Sequence, residues 1–306
     1  MRTLVIPDIH HRYSQAQSII DRVSHDKVVF TGDYFDNYGE GRDGPENSRK
    51  TAIWLKENVL HNPKAVAILG NHDTSYVWPN NFNFRCSGYT QDNSDAINSI
   101  LSDDDKSKFK VYHIDQGYSL SHAGLTNPIW KILSIRFNKE DYPTKLKFFD
   151  TVLGHFVELA LQDASRGDST ILFNSGWDRG GYFQRHGGIN WVDWRNFAPI
   201  SGVNQIVGHS IHRVPHVLIQ RKGGAVRQAE ITEYYQEELE YKRAGGQYSI
   251  VNDPENLSVS YNLDTQSNHY AVIEDGVVNI YDSATDINLK ELNDYFIPDN
   301  PMNTLS

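Results

Sequence analysis

Cysteine is nearly missing from this chain: Cys86 is the only one among 306 residues. A single thiol excludes an internal disulfide framework and fits a reducing, cytoplasmic setting. Cys86 itself reads as a small filler residue. Long hydrophobic runs are also missing. No apolar stretch approaches the ~20 residues needed to cross a bilayer, so no membrane partner is expected. The opening MRTLVIPDIHHR has too short an apolar run for a signal peptide and reads as a first strand. Positive charge is scarce, with 29 Lys and Arg against 39 Asp and Glu and a formal net charge of −10. Such a chain gains little from counterion release, which argues against duplex nucleic acid as a partner. The one basic cluster, RKGGAVR at 221–227, reads as an exposed turn. Internal repeats and low-complexity segments are absent as well.

What is present is enough apolar material for a full core: 39% hydrophobic residues, 12% of the chain being aromatic. Short apolar runs alternate with helix-like stretches through the first third. TLVIPDIH, DKVVFTGD and KAVAILGNHD read as strands; YSQAQSIIDRVSH and SRKTAIWLKENVL have helical spacing. KVYHIDQGYSLSHAG reads as a hairpin or two strands around Gln-Gly, and 127–168 as mostly helical. NQIVGHS, HVLIQ, LSVSYNLD, HYAVIEDG and VVNIYDS are strand-like again. This alternation predicts a mixed α/β fold with helices covering sheets. No linker divides the chain, so one domain over 1–306 is expected. Loop or cap excursions are expected at 79–105, 174–200 and 225–247, the last highly charged, exposed and helical in part.

Chemistry gathers at the strand ends. VVFTGDYFDN brings two carboxylates, Asp33 and Asp36, to the end of a strand that reads as buried. An unpaired buried carboxylate is costly, so such a pair needs hydrogen-bond partners, counter-charges or a metal. Gly-Asp also suits a simple turn. The other strands decide between these readings. One ends in Asp8-Ile9-His10, another in Gly70-Asn71-His72-Asp73, a third in Ser121-His122 and a fourth in Gly208-His209, with His212 just after. Sites in α/β sheets form beyond the carboxyl ends of strands, so all five clusters would face one crevice. Imidazoles, carboxylates and an amide oxygen, without thiolate, suit Mn, Fe, Zn or similar ions. About seven such groups exceed the three or four ligands of one catalytic zinc and suit two ions sharing a carboxylate.

The combination DIH, GDYFD, GNHD, SHAGL and VGHS resembles the calcineurin-like metallophosphoesterases. It resembles most the branch that holds the phosphoprotein phosphatases and the symmetrical diadenosine tetraphosphatases. The resemblance implies a β-sandwich flanked by helices, a four-layer α/β (α+β) architecture. It further implies a cofactor of two divalent ions, manganese foremost, with iron, zinc, nickel or magnesium as alternatives. By the resemblance, Asp8 and His10 hold the first ion, Asp33 bridges, and Asn71, His122 and His209 hold the second. A bridging water would be the nucleophile, so no Ser or Cys nucleophile is required. His72 would be the general acid and Asp36 the carboxylate that orients it. His212 is a further candidate metal ligand, although its Gly-His-x-x-His spacing differs from the Gly-His-x-His of family nucleases.

Two departures from the family pattern stand out. The phosphoprotein phosphatases follow GDxxD with Arg-Gly, where this chain has Asn37-Tyr38. Some other group must then bind phosphate; arginine, with its bidentate fork, is the best side chain for that, and Arg195, Arg179, Arg42 and Arg85 are the candidates. Arg195, in INWVDWRNF just before the last ligand strand, is placed first. His11 stands where relatives have Gly. The expected function is phosphomonoester hydrolysis, with a phosphoprotein or a small phosphoester as substrate. A phosphodiesterase, nuclease or nucleotide pyrophosphohydrolase of the same superfamily is the alternative, and a non-catalytic metal-binding scaffold the reading from another class.

Overall fold

The computed structural model describes residues 1–36, 44–182, 184–245 and 256–291. The first third runs β1 (Arg2–Ile6), α1 (Tyr13–Arg22), β2 (Lys27–Phe30), α2 (Pro45–Leu55), β3 (Ala65–Ala67) and α3 (Asn71–Val77). Next come α4 (Gln91–Asn98), α5 (Asp103–Ser107), β4 (Tyr112–Asp115), β5 (Tyr118–Ser121), α6 (Asn127–Ser134) and α7 (Lys145–Arg166). The chain continues with β6 (Asn204–Val207), β7 (His216–Arg221), β8 (Val226–Glu230), α8 (Ile231–Arg243), β9 (Asn256–Asn262), β10 (His269–Glu274) and β11 (Val277–Asp282).

These strands build two sheets, ordered β11-β10-β1-β2-β3 and β4-β5-β6-β9-β7-β8. β1, β2 and β3 are parallel, as are β5, β6 and β9. Antiparallel hairpins finish the edges. Side-chain alternation sorts each strand between two cores. Val5 and Val29 face inward and meet Leu120, Ile206 and Tyr261 of the other sheet. Leu4, Ile6, Val28 and Phe30 face outward onto Ile19 of α1 and Ala52, Trp54 and Leu55 of α2. Trp54 meets Phe30 edge-on at 5.7 Å between centroids. Each such buried side chain is worth roughly 1.5–3 kcal/mol in water removed. The outer face of the second sheet, through Val207 and Leu218, is covered by Val192, Trp194 and Phe197. α6 and α7 pack on each other, and Tyr112 of β4 donates its hydroxyl to the Asp150 carbonyl on α7 at 2.9 Å. The result is the expected mixed α/β sandwich flanked by helices.

Several local readings shift. The first strand stops at Ile6, because Pro7 has no N–H to continue the ladder. The residues after it, Asp8 to His11, form a loop. Gln116 and Gly117 both have positive φ (44° and 89°), which closes β4 and β5 as a tight hairpin. The stretch 79–105 is helical in part, since α4 and the start of α5 fall in it, and Ala96 and Ile97 are buried. The described part of the charged stretch 225–247, residues 225–245, is not wholly exposed. It supplies β8 and α8, and Ile231, Tyr234 and Tyr235 are buried in the inter-sheet core. Most charges of α8 lie on a solvent face, although Glu238 is buried, and the other face is apolar, a pattern that reads from sequence as a polar excursion.

Candidate active site

The parallel strands of both sheets deliver their carboxyl ends to one place. Asp8 and His10 follow β1, Asp33 follows β2, Asn71 and His72 open α3, His122 follows β5 and His209 follows β6. The loops are laced together by their backbones. His10 donates its N–H to the Asp33 carbonyl at 2.7 Å, and Gly208 donates to the His122 carbonyl at 2.7 Å. His10, His11, Asp33, Asp36 and His209 all have positive φ, between 42° and 69°. Such backbone costs energy at non-glycine residues and persists where surrounding contacts enforce it, most often at functional sites. Two glycines permit the close approach. A Cβ on Gly70 would collide with Asp33 Oδ1, and one on Gly208 with Asp8 Oδ1.

The donor atoms converge in two groups that share one residue. Asp8, His10 and Asp33 form one compact group, and Asp33, His122 and His209 the other. His122 Nε2 lies 2.8 Å from Asn71 Oδ1, 3.1 Å from His209 Nδ1 and 3.4 Å from Asp33 Oδ2. His209 Nδ1 lies 2.8 Å from the same Asn71 oxygen. His10 Nε2 stands 3.6 Å from Asp33 Oδ2. The far nitrogens are held by backbone oxygens: His122 Nδ1 faces the Thr31 carbonyl at 3.0 Å, and His10 Nδ1 the Asp36 carbonyl at 2.9 Å. A proton at each Nδ1 leaves a lone pair on each Nε2, the state in which imidazole binds a metal.

A family model described as calcineurin-like phosphoesterase matches residues 1–213. The chain belongs to this family. It is similar in structure to a metallophosphoesterase from Sphaerobacter thermophilus, with 14% identity, 92% of this chain and 88% of that chain covered, and a TM-score of 0.42. A protein serine/threonine phosphatase from Saccharomyces cerevisiae gives 12% identity, 89% and 72% coverage and a TM-score of 0.37. Yfce, a phosphoesterase from E. coli, gives 9% identity, 94% and 96% coverage and a TM-score of 0.38. No curated protein matches the chain.

The calcineurin-like phosphoesterase family implies two divalent ions, and the donor set here fits them. One proton on His122 Nε2 can serve only one of its three close neighbours, whereas a cation satisfies all of them at once. The hard oxygens and imidazoles are those that divalent transition ions accept. Charge is strongly redistributed in this cluster. Burial acts to lower His122, but Asp33 and Asp8 outweigh it and raise the imidazole to about 9. Burial lowers His10 to about 4 against the pull of Asp33. Burial also lowers His209, with His122 and Arg179 adding to it. Asp33 is opposed by burial, yet His122 and His72 hold it well below the usual carboxylate range.

His72 stands beside these groups rather than among them. Its N–H donates to Asp33 Oδ1 at 3.0 Å, and its Nδ1 faces Asp36 Oδ2 at 3.3 Å. Asp36 Oδ1 accepts the Tyr76 hydroxyl, one helical turn along α3 from His72. Burial works against a charged His72, but Asp33, Asp36 and Cys86 raise it well above the usual imidazole value.

A cavity of about 550 Å³ opens over the cluster. His10, Asp33, Asn71, His72 and His209 form its floor; Asp8 and His122 lie fully buried beneath. The regions 79–105 and 174–200 reach its rim, through Ser87 and through Arg179, Trp191, Asp193 and Arg195. Arg195 places Nε and Nη2 on the two Asp193 oxygens, each at 3.0 Å. Arg179 reaches Asp193 through Nη2, at 3.1 Å. Arg85 lies outside this cavity, and Arg42 falls outside the described residues. His212 lines the cavity wall but belongs to neither donor group. Its ring stacks on His216 with centroids 3.8 Å apart.

Three contributors escape the sequence reading. Asp73 accepts backbone N–H groups from Asp33 (2.8 Å), Gly70 (2.8 Å) and Tyr34 (2.9 Å), and so ties two ligand loops together. Its place directly after Asn71-His72 is the only signal. Tyr76 could have been found from its i+4 spacing to His72. Cys86, read as filler, lies within a compact cluster with His72 and Asp36, and nothing in the sequence points to that.

Proposed function

We propose that the protein is a single-domain phosphomonoesterase that uses two divalent ions, manganese foremost. The observation that carries the reading is Asp33, which is common to two donor groups: Asp8 and His10 would hold one ion with it, and Asn71, His122 and His209 the other. Two such ions supply Lewis acidity to the phosphoryl group and an activated water. Asp33, negative and buried, offsets the charge of both.

The chain's own residues do the rest. Arg179 has one nitrogen on Asp193 and faces His209 closely enough to lower its basicity. It is therefore the better placed of the rim arginines to bind phosphate oxygens, since Arg195 spends its fork on Asp193. Paired cations at the mouth favour a dianionic monoester over a monoanionic diester. Asp36 fixes the His72 ring at Nδ1, which leaves Nε2 to give its proton to the leaving oxygen. The monoester is a phosphoprotein or a small phosphorylated molecule, and the lone cysteine fits a cytoplasmic protein.

The test is turnover of para-nitrophenyl phosphate and bis-para-nitrophenyl phosphate with Mn²⁺ added. Faster cleavage of the monoester is expected. Cleavage of the diester alone would make the protein a phosphodiesterase, and cleavage of neither would favour a metal-binding scaffold.

A further inference from the structure

A second cavity, of about 470 Å³, adjoins the first and shares Ser87, Arg179 and Trp191 with it. Arg85, Cys86 and Tyr182 contribute to the rest of its wall. Cys86 tells which side of the site this is. Its thiol lies in one compact cluster with His72 and Asp36, so the cavity extends from the side on which His72 would protonate the leaving oxygen. We propose that this cavity is the leaving-group subsite, and that Arg85 there selects phosphomonoesters whose alcohol portion carries a second anionic group, a carboxylate or a phosphate. The inference rests on the phosphomonoesterase reading above.

Arg85 has the geometry of an anion receptor. Its guanidinium carbon lies 4.2 Å from the centre of the Phe82 ring and 4.4 Å from that of Tyr89. Cation–π contact with two rings restrains the plane of the group. The guanidinium N–H fork suits a planar two-oxygen acceptor. Arg85 has no acidic partner among the described residues, whereas Arg179 and Arg195 both engage Asp193. In a chain with net charge −10, a cation with no counter-charge among the described residues, set beside the reaction cavity, gives an anionic leaving group a specific place to dock. Arg179 in the shared wall and Arg85 beyond it provide two cationic points, one for the reacting phosphate and one for the second anion.

Phenyl phosphate and 4-carboxyphenyl phosphate differ by one carboxylate on the leaving group and make a matched pair for the metal-loaded protein. The wild type should show a kcat/KM about tenfold higher for the carboxylated ester. Arg85→Ala should remove that preference through KM, and Arg85→Lys, which keeps the charge without the fork, should retain part of it. Equal loss on both esters in Arg85→Ala would assign the residue a structural role and overturn the inference. So would a wild type with no preference, in which case the phosphomonoesterase reading survives. If neither ester turns over, that reading falls. Binding of 4-hydroxybenzoate against phenol, followed by ligand-observed NMR in wild type and Arg85→Ala, then decides the subsite alone: a selective, Arg85-dependent interaction supports it, and its lack overturns it.

Discussion

His72 Nδ1 lies 3.3 Å from Asp36 Oδ2, and both side chains are almost fully buried. Tyr76 holds the other Asp36 oxygen. The carboxylate thus has one oxygen anchored to α3 and one turned to the imidazole, an arrangement that orients a proton donor beside the metal ligands.

If Asp36 acts through His72, the two should not act independently. His72→Asn should lower kcat by roughly 10²–10⁴-fold, the usual contribution of a general acid, with bound metal near normal. Asp36→Asn should cost less, and the double variant should resemble His72→Asn, because residues working as a unit are not additive. Both losses should shrink with para-nitrophenyl phosphate, whose leaving group needs little protonation, relative to an alkyl phosphate. Kinetics of the three variants on both substrates check this; losses that multiply fully would give Asp36 a separate role.

Asp33 is common to both donor groups, so it should matter more to metal content than any other ligand. Asp33→Asn keeps the shape but removes the negative charge between the ions. It is expected to bind fewer than two ions per chain by elemental analysis after dialysis. Two retained ions would contradict the bridging role.

The readable part of this protein was its strand ends. DIH, GD, GNH, SH and GH each close an apolar run, and chemistry placed at the ends of parallel strands has few places to go except one crevice. What sequence could not supply was anything decided by loops meeting across the fold. Arg195 and Arg179 compete for one carboxylate, Asp193, and which is left with free N–H groups depends on a contact between 3₁₀ turns at 177–179 and 194–196. Cys86 is fifteen residues from Asn71, yet its thiol sits 3.8 Å from the Asn71 carbonyl. The charged stretch that holds α8 misled in the other direction, because the helix's three buried apolar residues among many charges give a weak periodic signal.

Asp73 offers a test of the scaffold apart from the ligands. Its carboxylate accepts four buried backbone N–H groups from two ligand loops, those of Asp33, Tyr34, Phe35 and Gly70. Asp73→Ala leaves these donors unsatisfied, at a cost of about 1–3 kcal/mol each before relaxation. Denaturant unfolding should show a loss of several kcal/mol, and metal affinity should fall although Asp73 is no ligand. Unchanged stability with unchanged metal binding would show that water replaces the carboxylate at no cost.

Metal-free protein should lose stability as pH rises through the neutral range. His122 in the folded protein titrates at about 9, against 6.5 for an ordinary imidazole. Folding therefore favours its protonated form. The stabilisation is fully present below pH 6.5 and is lost as pH climbs through 9. His72, also raised, acts in the same direction. His10 titrates at about 4 in the folded protein, so its stabilisation is present above pH 6.5 and is lost only as pH falls through 4. Between pH 6.5 and 9 the raised histidines act together with Asp73, which burial pushes up to about 7, and Asp8, which burial also raises; all lower stability as pH climbs. Ligation demands a neutral His122, so binding of divalent ions should release protons and tighten over the same range. Melting temperature of chelator-treated protein should fall from pH 6.5 to 9, and protein loaded with Mn²⁺ should show a flatter profile. In His122→Gln the metal-free slope should flatten too. Parallel slopes with and without metal would mean that His122 is not the group that exchanges its proton for an ion.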